Sequence, residues 1–166
     1  MAQWRSGRPQ GPLSFPGLVI AIAVIAIDQI AKVVAVGRLP IGQPIDLLPI
    51  LTLYRVENTG IAFSFFAGSG VALIALTIAV SVVIIAFWAW ARDGGRVATI
   101  GFALILGGAI GNLIDRLRLG AVVDFLLLHV GGRTLFVFNL ADAALTLGPI
   151  LLLAVYMFPP RGDGAS

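Results

Sequence analysis

The sequence contains no cysteine and a single histidine, His129, among its 166 residues. The missing thiols exclude disulfides, thiolate metal sites and cysteine nucleophiles, and one imidazole is too few for a zinc site built on histidines. Charge is scarce as well, because only 11% of the residues are charged while 59% are hydrophobic. That balance excludes an ordinary soluble domain of this length and indicates a protein of the lipid bilayer.

Runs of like charge are also missing. The eleven Lys and Arg residues outnumber the eight acidic ones and give a net charge of +3, but they are scattered singly along the chain. A nucleic-acid surface would need basic residues gathered on one face, so we expect no nucleic-acid partner.

Four apolar segments are long enough to cross the membrane: residues 17–36, 71–90, 97–114 and 140–158. A hydrocarbon core of about 30 Å requires roughly 20 mostly apolar residues in a helix. The Pro- and Gly-containing ends, residues 1–15 and 159–166, are predicted to be disordered. The sequence therefore predicts one integral membrane domain over residues 1–166, an all-α membrane protein with four transmembrane helices and both termini on one side.

The connections between these segments differ in length and polarity. A short turn from Arg92 to Arg96 joins the second and third segments, whereas residues 37–70 and 115–138 form longer connections with more polar residues. Within them, residues 50–56 and 122–130 are β-branched and aromatic enough to predict two strands. We therefore expect a small extracytoplasmic β-sheet at the membrane surface, with the functional residues in these two connections.

The basic residues alone do not orient the chain, because they divide equally between the two sides. Arg5 and Arg8 precede the first span, and the Arg-flanked turn is short, as cytoplasmic loops often are. We therefore place both termini in the cytoplasm. Trp88 and Trp90, near the end of the second span, are predicted to anchor that end at the membrane interface.

Most of the eight acidic residues lie near a span, where an ionised side chain costs about 2.5 to 3.5 kcal/mol by insertion scales. Asp46, Asp93 and Asp163 fall in loops or turns and are interpreted as solvated surface residues. The other five converge on one membrane face if four spans alternate in direction, and three amides gather with them. These residues are Asp28, Glu57, Asp115, Asp124 and Asp142, with Asn58, Asn112 and Asn139.

Carboxylates and amides on one face, without a thiol or imidazole cluster, favour acid-base chemistry by paired aspartates. Two carboxyl groups that share a site do not both ionise readily, so one keeps a proton while the other stays charged. The charged one can activate water and the protonated one can assist the leaving group. No metal or other cofactor is needed for this chemistry.

Structural interpretations remain open for some of these residues. Asp28 and Lys32 are four residues apart on a predicted helix, so an ion pair within the helix accounts for both. Asn139 followed by Asp142 has the spacing of a helix N-cap with an acidic residue in the first turn. Asp124 is harder to explain structurally, because a carboxylate inside a hydrophobic strand is costly without partners.

The end of the third span allows structural interpretations too. Gly107 and Gly111, with Gly108 between them, have the small-residue spacing that lets transmembrane helices pack closely, and we favour packing over ligand binding here. Asp115 and Arg116 can form an interfacial charge pair. Neither interpretation excludes a role in an adjacent site.

Four short motifs together resemble those of the bacterial lipoprotein signal peptidases, also called signal peptidase II. They follow one another in the family's order and occupy the expected places between the four spans, covering the chain from Asp28 to Gly148. One departure is Ala31, where the family usually has Thr or Ser. The motifs are Asp28-Gln29-Ile30-Ala31-Lys32; Glu57-Asn58-Thr59-Gly60-Ile61-Ala62-Phe63-Ser64; Gly107-Gly108-Ala109-Ile110-Gly111-Asn112-Leu113-Ile114-Asp115-Arg116 with Gly120 and Val123-Asp124-Phe125; and Phe138-Asn139-Leu140-Ala141-Asp142 with Gly148.

The resemblance implies an aspartic endopeptidase whose catalytic pair is Asp124 and Asp142. The implied substrate is a prolipoprotein whose Cys carries a diacylglyceryl group, and the cut falls just before that Cys. Four residues would position the substrate or hold the catalytic pair, and four would support the site. The first set is Asn58, Asn112, Arg116 and Asn139, and the second is Asp28, Lys32, Asp115 and Gly108.

The resemblance also implies where the protein acts. We expect a monomeric, multi-pass protein of the bacterial cytoplasmic (inner) membrane, with its active site at the extracytoplasmic face. Its partners would be diacylglyceryl-modified prolipoproteins and membrane lipid, because the diacylglyceryl tail is best left in the bilayer.

Two other functions compete with this prediction. A small proton- or cation-coupled transporter would use Asp28 and Asp142 inside the membrane, although acids gathered at one face rather than strung across it do not favour a relay. A serine-type protease would pair Ser69 with His129, but neither lies in a context that favours a nucleophile and its base.

Overall fold

The computed structural model describes residues 7–60 and 70–158. Several predictions fall outside the described residues. They concern Ser69, residues 61–64 of the second motif, Asp163, the predicted disordered end 159–166 and the first six residues of the predicted disordered end 1–15. Within the described part, the chain forms four helices and four strands. In chain order these are α1 (Phe15–Arg38), β1 (Ile45–Leu48), β2 (Leu51–Asn58), α2 (Gly70–Trp90), α3 (Gly95–Leu119), β3 (Val122–Val130), β4 (Arg133–Phe138) and α4 (Leu140–Tyr156).

Helices α1, α2 and α3 are each long and apolar enough to cross a membrane, and α4 is a shorter apolar helix of 17 residues. The segments predicted at 17–36, 71–90 and 97–114 lie inside α1, α2 and α3, and α4 begins at the predicted residue 140. Helix α3 continues to Leu119, so Asp115 lies inside this helix rather than in the connection after it. The fold is that of a helical membrane protein with a small antiparallel sheet.

Helix α3 packs against the other three helices, and its glycines set how closely two of them approach. A Cβ atom added to Gly108 would lie 2.5 Å from the carbonyl oxygen of Ala141 on α4, and one added to Gly107 would lie 2.9 Å from that of Ala21 on α1. Glycine is therefore required at both positions for the helix backbones to come this near. The packing interpretation of these glycines agrees with the structure.

The four strands form one antiparallel sheet in the order β1-β2-β3-β4. The two predicted strands correspond to β2 and β3, and the prediction missed the two edge strands. β1 is four exposed residues between Pro44 and Pro49, so its pairing with β2 leaves little trace in the sequence. β4 did leave a signal, because Gly131 and Gly132 both have positive φ in the two-residue turn that joins it to β3.

The N-terminal residues differ from the prediction of a disordered end at 1–15. The backbone N–H of Gly95 donates to the carbonyl oxygen of Gly7 at 2.8 Å. The N–H of Gln10 donates to the Thr99 hydroxyl at 2.9 Å, and the Trp88 indole donates to the Gln10 carbonyl oxygen at 2.6 Å. These bonds tie residues 7–10 to the bundle, which the local composition does not reveal.

Trp88 also corrects the prediction of an aromatic pair at the membrane interface. Its side chain is buried and stacks on Phe102 of α3 with ring centroids 5.8 Å apart. Trp90 is 71% exposed, and its location at the membrane interface stays a prediction. The two residues therefore differ because one finds a ring and a carbonyl partner inside the bundle and the other does not.

Candidate active site

Asp142 owes its position to the start of helix α4. Asn139 caps this helix: its side-chain oxygen accepts the backbone N–H of Asp142 at 2.9 Å, and Asp142 Oδ2 accepts the backbone N–H of Asn139 at 3.2 Å. This reciprocal arrangement is a capping box, as the sequence spacing indicated. Asp142 is half-buried, whereas Asn139 has no exposed surface.

Asp124 reaches the same place from the sheet. It is the third residue of β3, which begins after helix α3 ends at the left-handed Gly120. Its side chain is buried, and it pairs with Val56 of β2 in the strand register. Asn58, two residues further along β2, donates its amide to Asp124 Oδ2 at 3.0 Å.

Asp124 and Asp142, which we call the aspartate pair, are joined through amides. Asn139 Nδ2 donates to Asp124 Oδ1 at 2.7 Å, and Asn112 Nδ2 donates to Asp142 Oδ1 at 2.7 Å. Asn139 Nδ2 also reaches Asn112 Oδ1 at 3.2 Å, so the two amides contact each other. The Asn58 amide and the Asn139 backbone N–H supply the other two donors. Each of the four carboxylate oxygens of the pair therefore accepts a hydrogen bond from a neutral donor. Among the described residues, no basic side chain forms an ion pair with either aspartate.

This environment changes the acidity of Asp124. Burial raises the pKa of Asp124 from its ordinary value of 3.8 to about 6, and the negative charge of Asp142 adds to the rise. Hydrogen bonds from Asn58 and Asn139 and the charge of Lys32 act in the opposite direction. A carboxyl group with a pKa near neutrality can hold a proton and release it in a reaction, which suits a general acid or base.

A second group of charges lies beside the aspartate pair. Lys32 Nζ contacts Asp28 Oδ2 at 2.8 Å and Asp115 Oδ2 at 2.7 Å, and all three side chains are almost fully buried. Lys32 also donates to Asn112 Oδ1 at 2.9 Å. We call Asp28, Lys32 and Asp115 the lysine cluster. The ion pair within helix α1 predicted from the spacing of Asp28 and Lys32 is therefore present, and it extends to a second carboxylate.

The lysine cluster holds the backbone that carries the aspartate pair. Asp28 Oδ1 accepts the N–H of Ala141 at 2.9 Å, and Ala141 directly precedes Asp142. Asp115 Oδ2 accepts the N–H of Val123 at 3.2 Å, and Val123 directly precedes Asp124. Each carboxylate of the cluster therefore anchors the residue before one member of the pair.

Asn112 connects the two groups. Because Lys32 can only donate, it must meet the Asn112 side-chain oxygen, and the amide nitrogen then faces Asp142. The orientation of this amide is therefore set by Lys32. A positive charge thus acts on the aspartate pair through an intervening amide and not by direct contact.

The other predicted site residues have different surroundings. Arg116 is half-buried and donates to the Asn112 carbonyl oxygen at 3.5 Å. Gly108 is the point of close approach between α3 and α4 that brings Asn112 near Asp142. Glu57, expected to join the other acids, is instead exposed and forms an ion pair with Arg55 at 3.5 Å.

Sequence reasoning assigned no role to Gln29, although it lies inside the first motif. Its Nε2 atom donates to Asp115 Oδ1 at 2.9 Å and to the Gly111 carbonyl oxygen at 3.2 Å. It also lies 3.4 Å from Asp28 Oδ2. An amide beside Asp28 in an otherwise apolar span was the signal that could have revealed it.

A polar chain at the far end of the sheet was also missed. His129 Nε2 lies 3.0 Å from the hydroxyl of Thr52, and that hydroxyl donates to Asp46 Oδ1 at 2.9 Å. Asp46 therefore lies in strand β1 with a buried threonine as its partner, and not in a loop as predicted. These contacts depend on strand pairing that the sequence did not predict.

A cavity of about 490 Å³ opens beside Asp142. Its walls come from the end of β4 and the outer side of α4 and are mainly apolar, with Phe136, Phe138 and Leu147 among them. The rings of Phe136 and Phe138 lie 5.4 Å apart. A mainly apolar cavity with a carboxylate at its border is typical of a ligand-binding site. In the described part of the chain, no three His, Asp or Glu side chains are grouped as a metal site would require.

The chain is similar to proteins of one family. The family model described as signal peptidase (SPase) II matches residues 20–158. The lipoprotein signal peptidases of Brucella ovis and of Brucella abortus strain 2308 are each 47% identical to this chain over 138 residues. The matched residues cover 82% of this chain and 86% of each relative.

Two solved structures, both described as bacterial membrane enzymes, share the fold. One, at 26% identity, has a TM-score of 0.81 and covers 93% of this chain and 98% of its own. The other, at 24% identity, has a TM-score of 0.80 and covers 98% and 97%. With the family model matched across both aspartates and all four helices, the chain belongs to the signal peptidase II family.

Proposed function

We propose that this chain is a membrane aspartyl endopeptidase that removes signal peptides from prolipoproteins by cutting before the diacylglyceryl-modified Cys. Family membership and the 47% identity to lipoprotein signal peptidases support the peptidase activity and the class of substrate. The aspartic type rests on one observation: Asp124 and Asp142 are bridged by Asn112 and Asn139, and their oxygens accept hydrogen bonds from neutral groups alone among the described contacts.

The geometry suggests a division of labour within the aspartate pair. Asp142 borders the cavity and lies in the first turn of α4, where the helix dipole stabilises negative charge, so it is suited to take a proton from water. The water oxygen then attacks the carbonyl carbon of the residue before the Cys. Asp124, the more deeply buried member with the raised pKa, donates a hydrogen bond to that carbonyl oxygen. As the C–N bond breaks, the proton taken from water passes to the leaving amine.

We place this chemistry at the extracytoplasmic face of the bacterial inner membrane. In this arrangement α4 is the fourth span, because 17 residues extend about 26 Å, close to the thickness of the hydrocarbon core. The chain is then a single monomeric membrane domain with cytoplasmic termini, and the sheet lies on the outer surface. The diacylglyceryl tail can stay in the bilayer while the peptide reaches Asp142.

The decisive experiment is cleavage of one lipidated precursor by purified protein in detergent. Asp124→Asn and Asp142→Asn are each expected to lower kcat by about 10³-fold or more, because each removes one half of the acid-base pair. Asp46→Asn, on the far strand, is the matched control and should cleave normally. A thermal unfolding transition measured for each variant, and compared with that of the unaltered protein, tests whether the variant is folded. Normal cleavage by either variant of the pair would contradict the aspartyl mechanism.

The family match does not support the transporter, and the contacts of Asp28 argue against it as well. Asp28 is fully buried and bonded to Lys32 and to the Ala141 N–H, so it is not available to a passing ion. Cleavage in detergent, where no gradient exists, separates the two functions. The serine-type alternative would need His129 as the base, but the His129 ring contacts the Thr52 hydroxyl at 3.0 Å. We therefore expect the Ser69→Ala variant to cleave normally.

A further inference from the structure

The two edges of the sheet differ in how open they are to another strand. β1 has only four residues, lies between Pro44 and Pro49, contains Asp46 and has a register shift in its pairing with β2. Short length, proline, charge and irregular pairing are the devices by which proteins prevent an edge from accepting a further strand.

β4 is less protected, although its pairing with β3 also has a register shift, between Leu128 and His129 near the hairpin turn. It is six residues long without proline, and its only charged residue is Arg133 at its first position. Leu135 and Phe136 are 54% and 53% exposed. Within the described residues β4 pairs with β3 alone, so its outer row of N–H and C=O groups is open to an extended peptide.

The open edge leads directly to the aspartate pair. Along β4 the residues change from exposed at Arg133 to half-buried at Phe138, and Asn139 follows with no exposed surface. β3 shows the reverse order, from buried Val122 to exposed Val130, so the hairpin projects away from the helices. The cavity beside Asp142 is lined by the last residues of β4, which makes the edge and the cavity one continuous surface.

We propose that the substrate segment following the cleaved bond pairs with the outer edge of β4 as an antiparallel strand. This inference rests on the proposed function. With the cleaved bond at Asp142, the chain that follows the Cys must leave the membrane, and β4 offers a path from Asn139 outward to the Gly131-Gly132 turn. Because β4 itself runs inward along that path, the two strands are antiparallel. Main-chain hydrogen bonds hold such a strand with little demand on its side chains.

The first test alters only the substrate. Lipidated precursors carry a single N-methyl group on successive backbone amides after the Cys, and kcat/KM is measured with the unaltered enzyme. We expect losses of about 2- to 10-fold at every second position, because alternate N–H groups of a strand face its neighbour. Changing the side chains at the same positions is the control and should have smaller, non-alternating effects. A flat profile would overturn the proposal, whereas failure to cleave the unmethylated precursor would overturn the proposed function instead.

The second test identifies the edge and uses the absence of cysteine from the enzyme. Single substitutions Leu135→Cys, Phe136→Cys and Val137→Cys are made in an Asp124→Asn background. Each variant is oxidised together with precursors that carry one added Cys after the lipidated Cys, whose own sulfur is blocked as a thioether. Disulfides form only between Cα atoms about 4.4 to 6.8 Å apart, so they report residues that lie opposite one another.

In antiparallel pairing, each step of one residue toward the C-terminus of β4 moves the cross-linked substrate position one residue toward the substrate's N-terminus. Leu47→Cys on β1 is the matched control and should give no such register. Cross-links in register with β1, cross-links between two enzyme copies in place of the substrate, or no cross-links from β4 would each overturn the assignment to β4.

Discussion

Two groups of carboxylates, all buried except the half-buried Asp142, share Asn112 but have opposite electrostatic surroundings. In the lysine cluster, Asp28 and Asp115 both contact the Lys32 ammonium group, at 2.8 and 2.7 Å. In the aspartate pair, the oxygens are bonded to amide groups, with no cation in contact among the described residues. A carboxylate paired with a buried cation is suited to fixing geometry, whereas Asp124, whose pKa burial raises to about 6, has the proton affinity that acid-base chemistry needs.

The comparison also explains why the two groups lie side by side. The cluster accepts the N–H groups of Ala141 and Val123, the residues that precede Asp142 and Asp124. In the proposed mechanism, different acids therefore have different tasks: Asp28 and Asp115 hold the backbone, and Asp124 and Asp142 are left for proton transfer. We infer that the two groups respond differently to mutation.

The largest expected effect is on stability, from Lys32→Met. The substitution leaves two buried carboxylates without their cation, and breaking a buried ion pair in this way costs about 3 to 5 kcal/mol. Denaturant-induced unfolding in detergent measures the loss. Arg38→Met, at the exposed end of α1, is the matched control and should have little effect. If Lys32→Met lowered kcat while leaving stability unchanged, the cluster would be part of the chemistry and the comparison would fail.

A smaller effect, now on activity, is expected from Asn112→Ala. This change removes the amide between Lys32 and Asp142, and hydrogen bonds to charged groups contribute about 1.5 to 3 kcal/mol each. We expect kcat to fall by about 10- to 100-fold for enzyme that remains folded. Gln29→Ala is the control, because Gln29 contacts the cluster but not the pair, and it should lower stability more than kcat. Equal losses of kcat in both variants would show that Asn112 acts only through the fold.

The pH dependence of stability sharpens the comparison further. Because burial raises the pKa of Asp124 to about 6 from 3.8, the folded protein binds a proton there that the unfolded chain has released between those two pH values. The contribution of Asp124 to stability therefore falls as the pH rises from about 4 to about 6. Asp124→Asn should remove this slope from the unfolding free energy measured against pH. Parallel profiles for the two proteins would contradict the raised pKa.

The helices could be predicted from the apolar segments, and the family resemblance already separated Asp124 and Asp142 from the supporting acids. The contacts that join the two groups could not be predicted. Apolar segments of about 20 residues mark α1 to α3, and acids beside them stand out because each needs a reason there. The hydrogen bond from the Ala141 N–H to Asp28 joins residues 113 positions apart, and no local pattern encodes such a bond. The spacing within α1 indicates that Asp28 meets Lys32, but only the packing of α3 against α1 brings Asp115 to the same lysine.

The sheet shows the same limit on a smaller scale. β3 was predictable because its apolar run is long, whereas β1 becomes a strand only by pairing with β2. Trp88 was misplaced for a related reason, since its partners Phe102 and Gln10 come from two other parts of the chain.

The smallest effect is expected at the far end of the sheet, at Asp46. In the described part of the chain, this acid forms no ion pair and contacts no second carboxylate. Its contact is the hydroxyl of buried Thr52, which also meets His129. Thr52→Val keeps the shape and removes both contacts, so we expect a loss of about 1 kcal/mol in unfolding free energy with cleavage unchanged. Thr77→Val, which removes a hydroxyl bonded within helix α2, is the matched control and should change stability less. A loss of cleavage in Thr52→Val would mean that the distant end of the sheet influences the aspartate pair, and that positioning is not confined to the lysine cluster.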